Sequence, residues 1–517
     1  MRFGVVHRRT ELAATAAERP LVLRGDDTGA ATLLVYVDAT RLAVFDDWTV
    51  AVRTLEAADL LHIDSGGCQF FLAYGLVPPP YTLYRDLYRL GVGDRLAIDL
   101  AGGRVAFTVD YPYFEAGSRG DAGYDPRRLR RLLAEAVSRA LPPGVPALLM
   151  QSAGKDSAGL LVGIAEAGRG ADVRAATYDP GYREQEAGPA AELARRFGIR
   201  HGAVAGDPRA EFDSWLRFAE TAPAVCADLA SFAYLHVLER HGVRAGVVLD
   251  GLGNDAYMGY AEPRRDAALG SLALARWLPA AWGRWEPPQV GARLAYLWKT
   301  ALMYPAERCL AGSRLAPSTV LRLLPVATPF RDHFARLDRD RRRLSPIDFR
   351  GYVRGRIFDG AMTMAKGRLA AASHGARAVY PYCDQALIDY CFHLPLADRY
   401  DARRRRNKVA LRRLLEHDVG DAPYLRRKGS FRFDVVRFVA ANERGIRDEL
   451  AAAHPFLREL DRWAAFLLRR KSNYVHAYEL VTLFMLASWL ARRPAPVVRP
   501  LRELEPASPG VAITIEP

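Results

Sequence analysis

Residues 148–157 of the chain are Leu-Leu-Met-Gln-Ser-Ala-Gly-Lys-Asp-Ser. The apolar run that ends at Gln151 predicts a short buried strand, the small residues after it predict a turn, and a helix is expected to open near Ser157. Backbone N–H groups in such a turn, together with the helix N-terminus, form a site for an anion. Asp156 is unusual beside an anion, and a carboxylate there makes sense if it holds Mg²⁺.

Small polar residues complete this predicted phosphate loop. Ser152 and Ser157 can add hydroxyl donors without bulk, and Gly154 and Lys155 lie between them. The Walker sequence GxxxxGK[ST] is absent, so a nucleotide loop of that kind is excluded. The alternative interpretation is an ordinary strand-to-helix turn in which Asp156 only caps the helix.

The sequence around the loop alternates between short apolar runs and amphipathic stretches, which is typical of an α/β fold. The predicted strands of this part are residues 147–151, 173–178 and 243–249. The predicted helices are residues 125–140, 159–167 and 187–197. After about residue 262 the chain is mostly helical, and before about residue 109 it is β-rich, with strands at 33–37, 42–45 and 96–100.

This pattern divides the chain into three parts. We predict a small β-rich N-terminal domain over residues 1–115 and a larger α/β domain with a helical C-terminal part over residues 120–492. Residues 493–517 contain repeated prolines and no amphipathic period, which predicts a loose tail.

The basic charge of the chain comes almost entirely from arginine. The net charge is +14, and only six of the 73 basic residues are lysines. We interpret the arginine excess as a bias of composition rather than a nucleic-acid surface. In such a background, a lysine at a motif position indicates that a compact ammonium group is needed there.

Composition also bounds the location of the protein. No uncharged apolar run reaches the roughly 20 residues that span a bilayer, and residues 1–20 show no signal-peptide pattern. The five cysteines are scattered and form no CxxC pair, so neither a zinc site nor a disulfide framework is indicated. We expect a cytoplasmic protein without a membrane partner.

The loop at residues 152–157 resembles the SGGxDS pyrophosphate loop of the N-type ATP pyrophosphatases, although Ala153 takes the place of the second glycine. That superfamily includes asparagine synthetase, β-lactam synthetase, GMP and NAD synthetases and tRNA lysidine synthetase. The resemblance implies a Rossmann-like synthetase domain of the adenine nucleotide α-hydrolase type. The loop residues that it implies for ATP binding are Ser152, Gly154, Lys155, Asp156 and Ser157.

Four further segments resemble the asparagine synthetase branch. Residues 71–90 are similar to the end of its glutaminase-like N-terminal domain, and residues 249–260, LDGLGNDAYMGY, to its LSGEGADELFGGY. Residues 380–384 are similar to its P-F-L-D. Residues 408–411 and 424–431 are similar to the K…LR…R-x-K-x-GF near its C-terminus.

The resemblance also implies roles for single residues. Asp156 and Asp255 would be the two Mg²⁺ ligands, and Gly251 and Gly253 would form a second turn at the nucleotide. Lys428 would stabilise negative charge on the adenylate and the departing pyrophosphate.

The N-terminus departs from the pattern of glutamine-dependent synthetases. Those enzymes carry a cysteine directly after the initiator methionine, and this chain has Arg2 there. Because N-terminal nucleophile chemistry needs the α-amine of the nucleophile itself, we expect no glutaminase activity. The N-terminal domain would be a vestigial scaffold, and the amine would be free ammonia or a group on the substrate.

The chain also differs from the family at the two positions that hold its acid/base residues. Leu252 replaces a glutamate or tyrosine of the Gly-x-Gly turn, and counting back from Pro381 places Arg377 at the other acidic position. Either a catalytic base then lies elsewhere, or the reaction needs little help from a base, or catalysis has been lost. The candidates near the motifs are His374, Tyr257 and Tyr380, and for His374 a loop residue without a role is the alternative.

Lasso-peptide macrolactam synthetases and β-lactam synthetases are similar to this plan, since they combine the synthetase fold with no N-terminal cysteine and cleave ATP to AMP and pyrophosphate. The partners implied are a carboxylate and an amine, such as those of a precursor peptide with its leader peptidase. A tRNA-modifying enzyme is an alternative, because the arginines at 403–406 and 341–343 would suit RNA phosphates. A catalytically dead scaffold is another, favoured by Leu252 and Arg377.

Overall fold

A computed structural model of the chain describes twenty stretches of the sequence. They are residues 2–5, 21–26, 28–29, 32–38, 41–99, 104–109, 123–181, 186–242, 244–259, 268, 301, 303–310, 315–324, 333–334, 337, 344–420, 433–453, 456–493, 505–506 and 513–515.

The described strands form three larger sheets and one two-stranded hairpin. The strands are β1 Arg2–Val5, β2 Leu21–Arg24, β3 Leu33–Val37, β4 Arg41–Phe45, β5 Leu87–Leu90, β6 Asp94–Asp99, β7 Arg104–Val109, β8 Ala147–Met150, β9 Val173–Asp179, β10 Arg200–Ala205, β11 Val247–Asp250, β12 Arg377–Val379, β13 Tyr400–Asp401, β14 Arg406–Asn407, β15 Glu505–Pro506 and β16 Ile513–Ile515.

The described helices lie mostly after residue 120. They are α1 Trp48–Ala57, α2 Ser65–Tyr74, α3 Pro126–Ala140, α4 Lys155–Glu166, α5 Ala187–Arg196, α6 Pro208–Thr221, α7 Ala230–His241, α8 Pro305–Cys309, α9 Pro317–Leu323, α10 Pro346–Val353, α11 Met364–Ser373, α12 Gln385–Phe392, α13 Leu396–Arg399, α14 Val409–Val419, α15 Val435–Ala441, α16 Glu443–Ala452, α17 Leu460–Arg469 and α18 Tyr474–Leu490. A π-helix, Arg354–Thr363, joins α10 to α11. None of the helices in the described ranges is long and apolar enough to cross a membrane.

A five-stranded parallel sheet with the order β10-β9-β8-β11-β12 forms the centre of the larger domain. Leu148 and Val248 point to one face, Leu149 and Leu249 to the other, and all four are almost fully buried. Burial on both faces explains why these strands are continuous apolar runs rather than alternating ones. The α/β prediction is confirmed, and β8 and β11 end side by side, because Met150 pairs with Asp250.

Helices cover both faces of this sheet. On one face α3, α4 and α14 share a core with Leu149 and Leu249. On the other face α7 and α11 pack on β9 and β12, in a core that continues into the N-terminal part of the chain. The carboxyl ends of the parallel strands are therefore the edge at which an α/β sheet binds its ligands.

The N-terminal part contains two sheets, β1-β4-β3-β5 and β15-β16-β7-β6-β2. It contacts the larger domain through long-range hydrogen bonds, such as that from the Tyr84 hydroxyl to the Pro223 carbonyl at 2.6 Å. Within the segment predicted to be a loose tail, β16 pairs with β7, so these residues extend a sheet and the prediction was wrong for them. The domain boundaries at 115, 120 and 492 stay predictions.

Two element boundaries also differ from the sequence prediction. Helix α4 begins at Lys155 rather than near Ser157, because Gly154 takes the extended conformation of an N-cap. The strand predicted over 243–249 is shorter, since β11 begins at Val247.

Candidate active site

The turn between β8 and α4 is closed by the two serine hydroxyls of the predicted phosphate loop. The Ser157 hydroxyl donates to the Ser152 carbonyl at 2.8 Å, and the Gly154 N–H donates to the Ser152 hydroxyl at 3.1 Å. These bonds fix the turn at the start of a twelve-residue helix. The first N–H groups of such a helix have no acceptor within it, so they are available to an anion.

The turn after β11 packs directly on this loop. A Cβ atom at Gly251 would lie 3.0 Å from the Asp156 carbonyl carbon and the Ser157 nitrogen. Gly253 has a φ of +98°, and a Cβ there would lie 2.5 Å from the Cys383 sulfur. Both positions therefore need glycine, and the close approach places Asp255 opposite Asp156.

Lys408 joins the two carboxylates. Its Nζ atom lies 2.8 Å from Asp156 Oδ1 and 2.7 Å from Asp255 Oδ1. It also donates to Asn254 Oδ1 at 2.5 Å, while the Asn254 amide donates to Asp156 Oδ1 at 3.0 Å. Three chain segments that are distant in sequence thus meet on one ammonium group.

The backbone holds Lys408 in an unusual conformation for this contact. Its φ is 58°, in the left-handed region, where a non-glycine residue costs on the order of 1–3 kcal/mol. Its N–H donates to the Met258 carbonyl at 3.0 Å. Burial disfavours the ammonium, but Asp156 and Asp255 outweigh that effect and raise the pKa of Lys408, so the group stays charged.

The π-helix supplies a second pair of charges. Arg354 Nη2 lies 3.7 Å from Asp255 Oδ2. Asp359, one turn later, is 3% exposed, and burial raises its pKa to about 6, although Arg354 opposes that shift. Its Oδ2 has no hydrogen-bond partner within the described residues. π-helical turns occur frequently at functional sites.

Lys155 is the other cation of the loop. It is buried at the first position of α4. Burial lowers its pKa to about 8, and the nearby Lys408 and Arg412 act in the same direction, while Asp156 opposes them. Because this pKa is close to neutral pH, a new anionic partner such as a phosphate would raise it and favour the charged ammonium.

The two carboxylates fit a magnesium ion. Their side chains remain 33% and 23% exposed, for Asp156 and Asp255 respectively, although the lysine between them is buried. Across the described ranges, no group of three or more histidine, cysteine, aspartate or glutamate side chains could hold a metal. Mg²⁺ is ordinarily bound by one or two carboxylates and completed by phosphate oxygens and water, which is what this pair allows.

A further carboxylate, Asp250, lies at the end of β11 and keeps accessible surface. Burial raises its pKa to about 6, against the effect of Lys366. Lys366 pairs with Asp228 at 3.1 Å, and the Tyr234 hydroxyl, buried beside Asp250, also acts to lower the pKa of that carboxyl. A carboxylate with such a pKa has the chemistry of a general base.

The tyrosines predicted as possible bases are engaged elsewhere. The Tyr380 hydroxyl donates to the Met364 carbonyl at 2.5 Å, and the Tyr257 hydroxyl to the Tyr382 carbonyl at 2.6 Å. Burial raises the pKa of both hydroxyls above the ordinary tyrosine value. Their observed contacts are those of core side chains, which does not support the catalytic prediction for Tyr380.

The structure does not bring His374 or Arg377 to this site. His374 ends α11 just before β12, and its Nδ1 lies 2.9 Å from the Ala370 carbonyl oxygen. Arg377 is exposed and pairs with Val247, at the amino end of β11. Because β12 is parallel to β11, both residues lie at the edge of the sheet opposite Asp255. The structure therefore does not support the catalytic role predicted for His374, which stays a prediction.

Lys428 lies outside the described residues, so its predicted role stays a prediction. The functional lysine that sequence reasoning missed is Lys408, which was noted only as part of a motif. The scarcity of lysine was a signal for it, because Lys155, Lys366 and Lys408 are all buried. Asn254, Arg354 and Asp359 gave no such signal.

The comparison with known families agrees with this geometry. The family model described as asparagine synthase matches residues 128–491, well over half of the chain. No curated protein matches the chain at a significant level. The matched range holds the phosphate loop, the Gly-x-Gly turn and Lys408, and the family consists of ATP-using ligases. The chain therefore belongs to the asparagine synthase family.

Proposed function

We propose that this enzyme adenylates a carboxylate with ATP, releases pyrophosphate, and transfers the acyl group to an amine that does not come from glutamine. The observation that carries this proposal is the bridge from Lys408 to Asp156 and Asp255 at the carboxyl ends of β8 and β11. It places two carboxylates suited to a metal ion, together with one fixed positive charge, beside the N-terminus of helix α4. This arrangement suits a triphosphate.

The chemistry follows from these groups. A substrate carboxylate oxygen attacks the α-phosphorus, and the bond to pyrophosphate breaks. Asp156 and Asp255 would hold Mg²⁺, which supplies charge neutralisation for the leaving pyrophosphate. Lys408 holds the two carboxylates at a fixed separation, and Lys155 adds positive charge to the loop. In the second half, the amine attacks the acyl carbon and AMP leaves.

The cysteines support glutamine independence. All five are buried. Burial raises the pKa of Cys68 above its ordinary value and that of Cys383 to about 12. A thiol of this kind is a poor nucleophile, because the thiolate is the reactive form.

Within this class we propose macrolactam formation on a peptide, as in lasso peptide biosynthesis, in which a side-chain carboxylate is attacked by the N-terminal amine. The resemblance of the motifs supports it. The partners would be a precursor peptide and its leader peptidase. A β-lactam-synthetase-type substrate is the alternative within the same chemistry.

Acid-dependent exchange of labelled pyrophosphate into ATP tests the proposal. The panel would contain L-aspartate, L-glutamate and peptides with an N-terminal glycine and an internal aspartate or glutamate. We expect exchange with at least one acid in the presence of Mg²⁺, and amide formation with an internal amine or ammonia but not with glutamine. Exchange with no acid would favour the scaffold interpretation, and salt-dependent tRNA binding would revive the RNA-modifying one.

Replacing Lys155 by methionine is expected to weaken ATP binding about tenfold and to abolish proton uptake on binding. In the free protein burial holds the pKa of Lys155 near 8. Bound phosphates would raise that pKa, so above pH 8 ATP binding takes up a proton. Calorimetry at pH 8.5 in buffers of different ionisation enthalpy measures this uptake. Equal uptake in the wild-type and Lys155→Met proteins would contradict the assignment.

Replacing Lys428 by arginine is expected to retain ATP binding but to reduce product formation about 100-fold, the scale of losing one oxyanion-stabilising donor. Charge is kept, but a rigid guanidinium fork cannot serve two successive anions as a flexible ammonium can. Single-turnover assays would compare Lys428→Arg with Lys428→Ala. Product at the wild-type rate from the arginine variant would make this residue a surface cation only.

A further inference from the structure

A cavity of about 50 Å³ lies between the N-terminal part of the chain and the asparagine synthase domain. The N-terminal part contributes Val77, Leu83 and Arg89 to its wall. The synthase domain contributes residues of the π-helix and of α11, among them Ala361, Ala365 and Arg368. The cavity is therefore mostly apolar, but two guanidinium groups reach it from opposite sides.

The hydrogen bonds of Arg89 satisfy its charge poorly. Its Nη1 and Nη2 donate to the carbonyls of Gly360 at 3.3 Å and of Val77 at 3.2 Å, and both bonds are long. No carboxylate of the described residues lies within ion-pair distance of this guanidinium. A partly buried cation without an anionic partner loses part of its hydration without compensation, and proteins normally pair such a charge.

Arg368 adds to the positive charge of the same space. It donates to the Thr32 hydroxyl at 3.1 Å and to the Gly29 carbonyl at 2.8 Å, and it lies over the Tyr380 ring. Burial lowers the pKa of Arg89 to about 10, and the repulsion from Arg368 outweighs the attraction of Asp94. Arg368 is thus the charged neighbour with the largest effect on the pKa of Arg89.

We propose that this cavity binds a small carboxylate anion between Arg89 and Arg368. A water molecule needs about 10–15 Å³ by the same measure of volume, so the cavity holds roughly four waters, or a carboxylate with one or two methylenes. The planar fork of arginine matches a carboxylate, and the apolar walls suit a short hydrocarbon.

The site is separate from the metal carboxylates but close to them. Met364 begins α11 beside the cavity residue Ala365, and its sulfur would lie 3.5 Å from a Cβ at Gly253. One layer of side chains thus separates the cavity from the nucleotide turn. The anion could be a free metabolite or the second carboxylate of the acid that the enzyme activates.

Acetate binding by the full-length protein tests the proposal, with sodium chloride at matched ionic strength as the blank. We expect a saturable rise in melting temperature and a calorimetric binding signal. Arg89→Met should weaken acetate binding at least tenfold. The matched control is Arg85→Met, since the Arg85 guanidinium pairs with Asp86 at 3.3 Å and lies outside the cavity.

A second variant guards against misfolding of Arg89→Met. Ala365→Leu adds volume inside the cavity without changing charge, and leucine is a good helix former. It should remove acetate binding as well. The proposal is overturned if the wild-type protein shows no saturable acetate effect, or if Ala365→Leu binds acetate as the wild-type protein does.

One more experiment distinguishes a free metabolite from the second carboxylate of the activated acid, and only this experiment rests on the proposed function. Acetate is titrated into the pyrophosphate exchange assay with the acid that supports exchange. Competitive inhibition by acetate assigns the cavity to the second carboxylate of that acid. Exchange that is unaffected at saturating acetate assigns it to a separate small metabolite.

Discussion

Replacing Asp156 or Asp255 by asparagine is expected to abolish Mg²⁺-dependent ATP–pyrophosphate exchange, with a loss of at least about 100-fold. Both carboxylates contact the Lys408 ammonium, and both side chains remain partly exposed to solvent. An amide keeps the shape of the side chain but loses the charge that would hold Mg²⁺.

The control for these variants is Asp172→Asn. Asp172 is an exposed carboxylate that pairs with Arg169 at 2.5 Å, at the amino end of β9 and so at the opposite edge of the sheet from Asp156. Its replacement should leave exchange unchanged. Exchange at the wild-type rate in Asp156→Asn or Asp255→Asn would refute the metal assignment of that residue.

Replacing Lys408 by methionine is expected to remove exchange to a similar extent and also to destabilise the free protein. Two carboxylates would then face each other without the ammonium between them. Breaking a buried pair costs up to about 3–5 kcal/mol, and we expect less, about 1–3 kcal/mol, because these carboxylates keep accessible surface. Thermal unfolding with and without Mg²⁺ measures the change.

The effect of Mg²⁺ on thermal stability distinguishes this prediction from a general loss of stability. Mg²⁺ should stabilise Lys408→Met more than the wild-type protein, because a cation then restores the missing positive charge. The matched control is Lys471→Met, a half-buried lysine that pairs with Glu443 far from the loop in sequence. An active Lys408→Met enzyme, or one that Mg²⁺ does not stabilise, would show that this lysine is only a structural cation.

Much of the fold could be predicted from the sequence, because local patterns carry it. The strand at 33–37 matches β3, and the helix expected over 125–140 matches α3, which opens with the Asp125 cap and Pro126. The strand end at Gln151 and the Gly-x-Gly turn also lie where the apolar runs stop. Each of these signals is local in sequence.

The site could be predicted only in part, since its contacts join distant segments. Asp255 and Lys408 touch although a helical stretch and the whole π-helix lie between them in sequence. No period or spacing links Arg354 to Asp255 either. The scarcity of lysine in an arginine-rich chain pointed to Lys428, whose role stays a prediction, and the same reasoning applies to the buried Lys408.

The structure places His374 away from Asp255 for a topological reason. His374 is close in sequence to Pro381, which suggested that it is close to the site. However, β12 lies between them and runs parallel to β11, so His374 is at the amino end of the strands and Pro381 at the carboxyl end. Asp250 shows the converse. It stands directly before the Gly-x-Gly turn, and only the buried surroundings give its carboxyl a pKa near 6.

The most direct test of carboxylate adenylation is the fate of oxygen-18 in the carboxyl group of the acid that supports exchange. Complete turnover with ATP and Mg²⁺ is followed by mass spectrometry of the nucleotide products. Adenylation predicts one labelled oxygen in AMP and none in pyrophosphate. Labelled inorganic phosphate with ADP as the product, or AMP without label, would contradict the proposed chemistry.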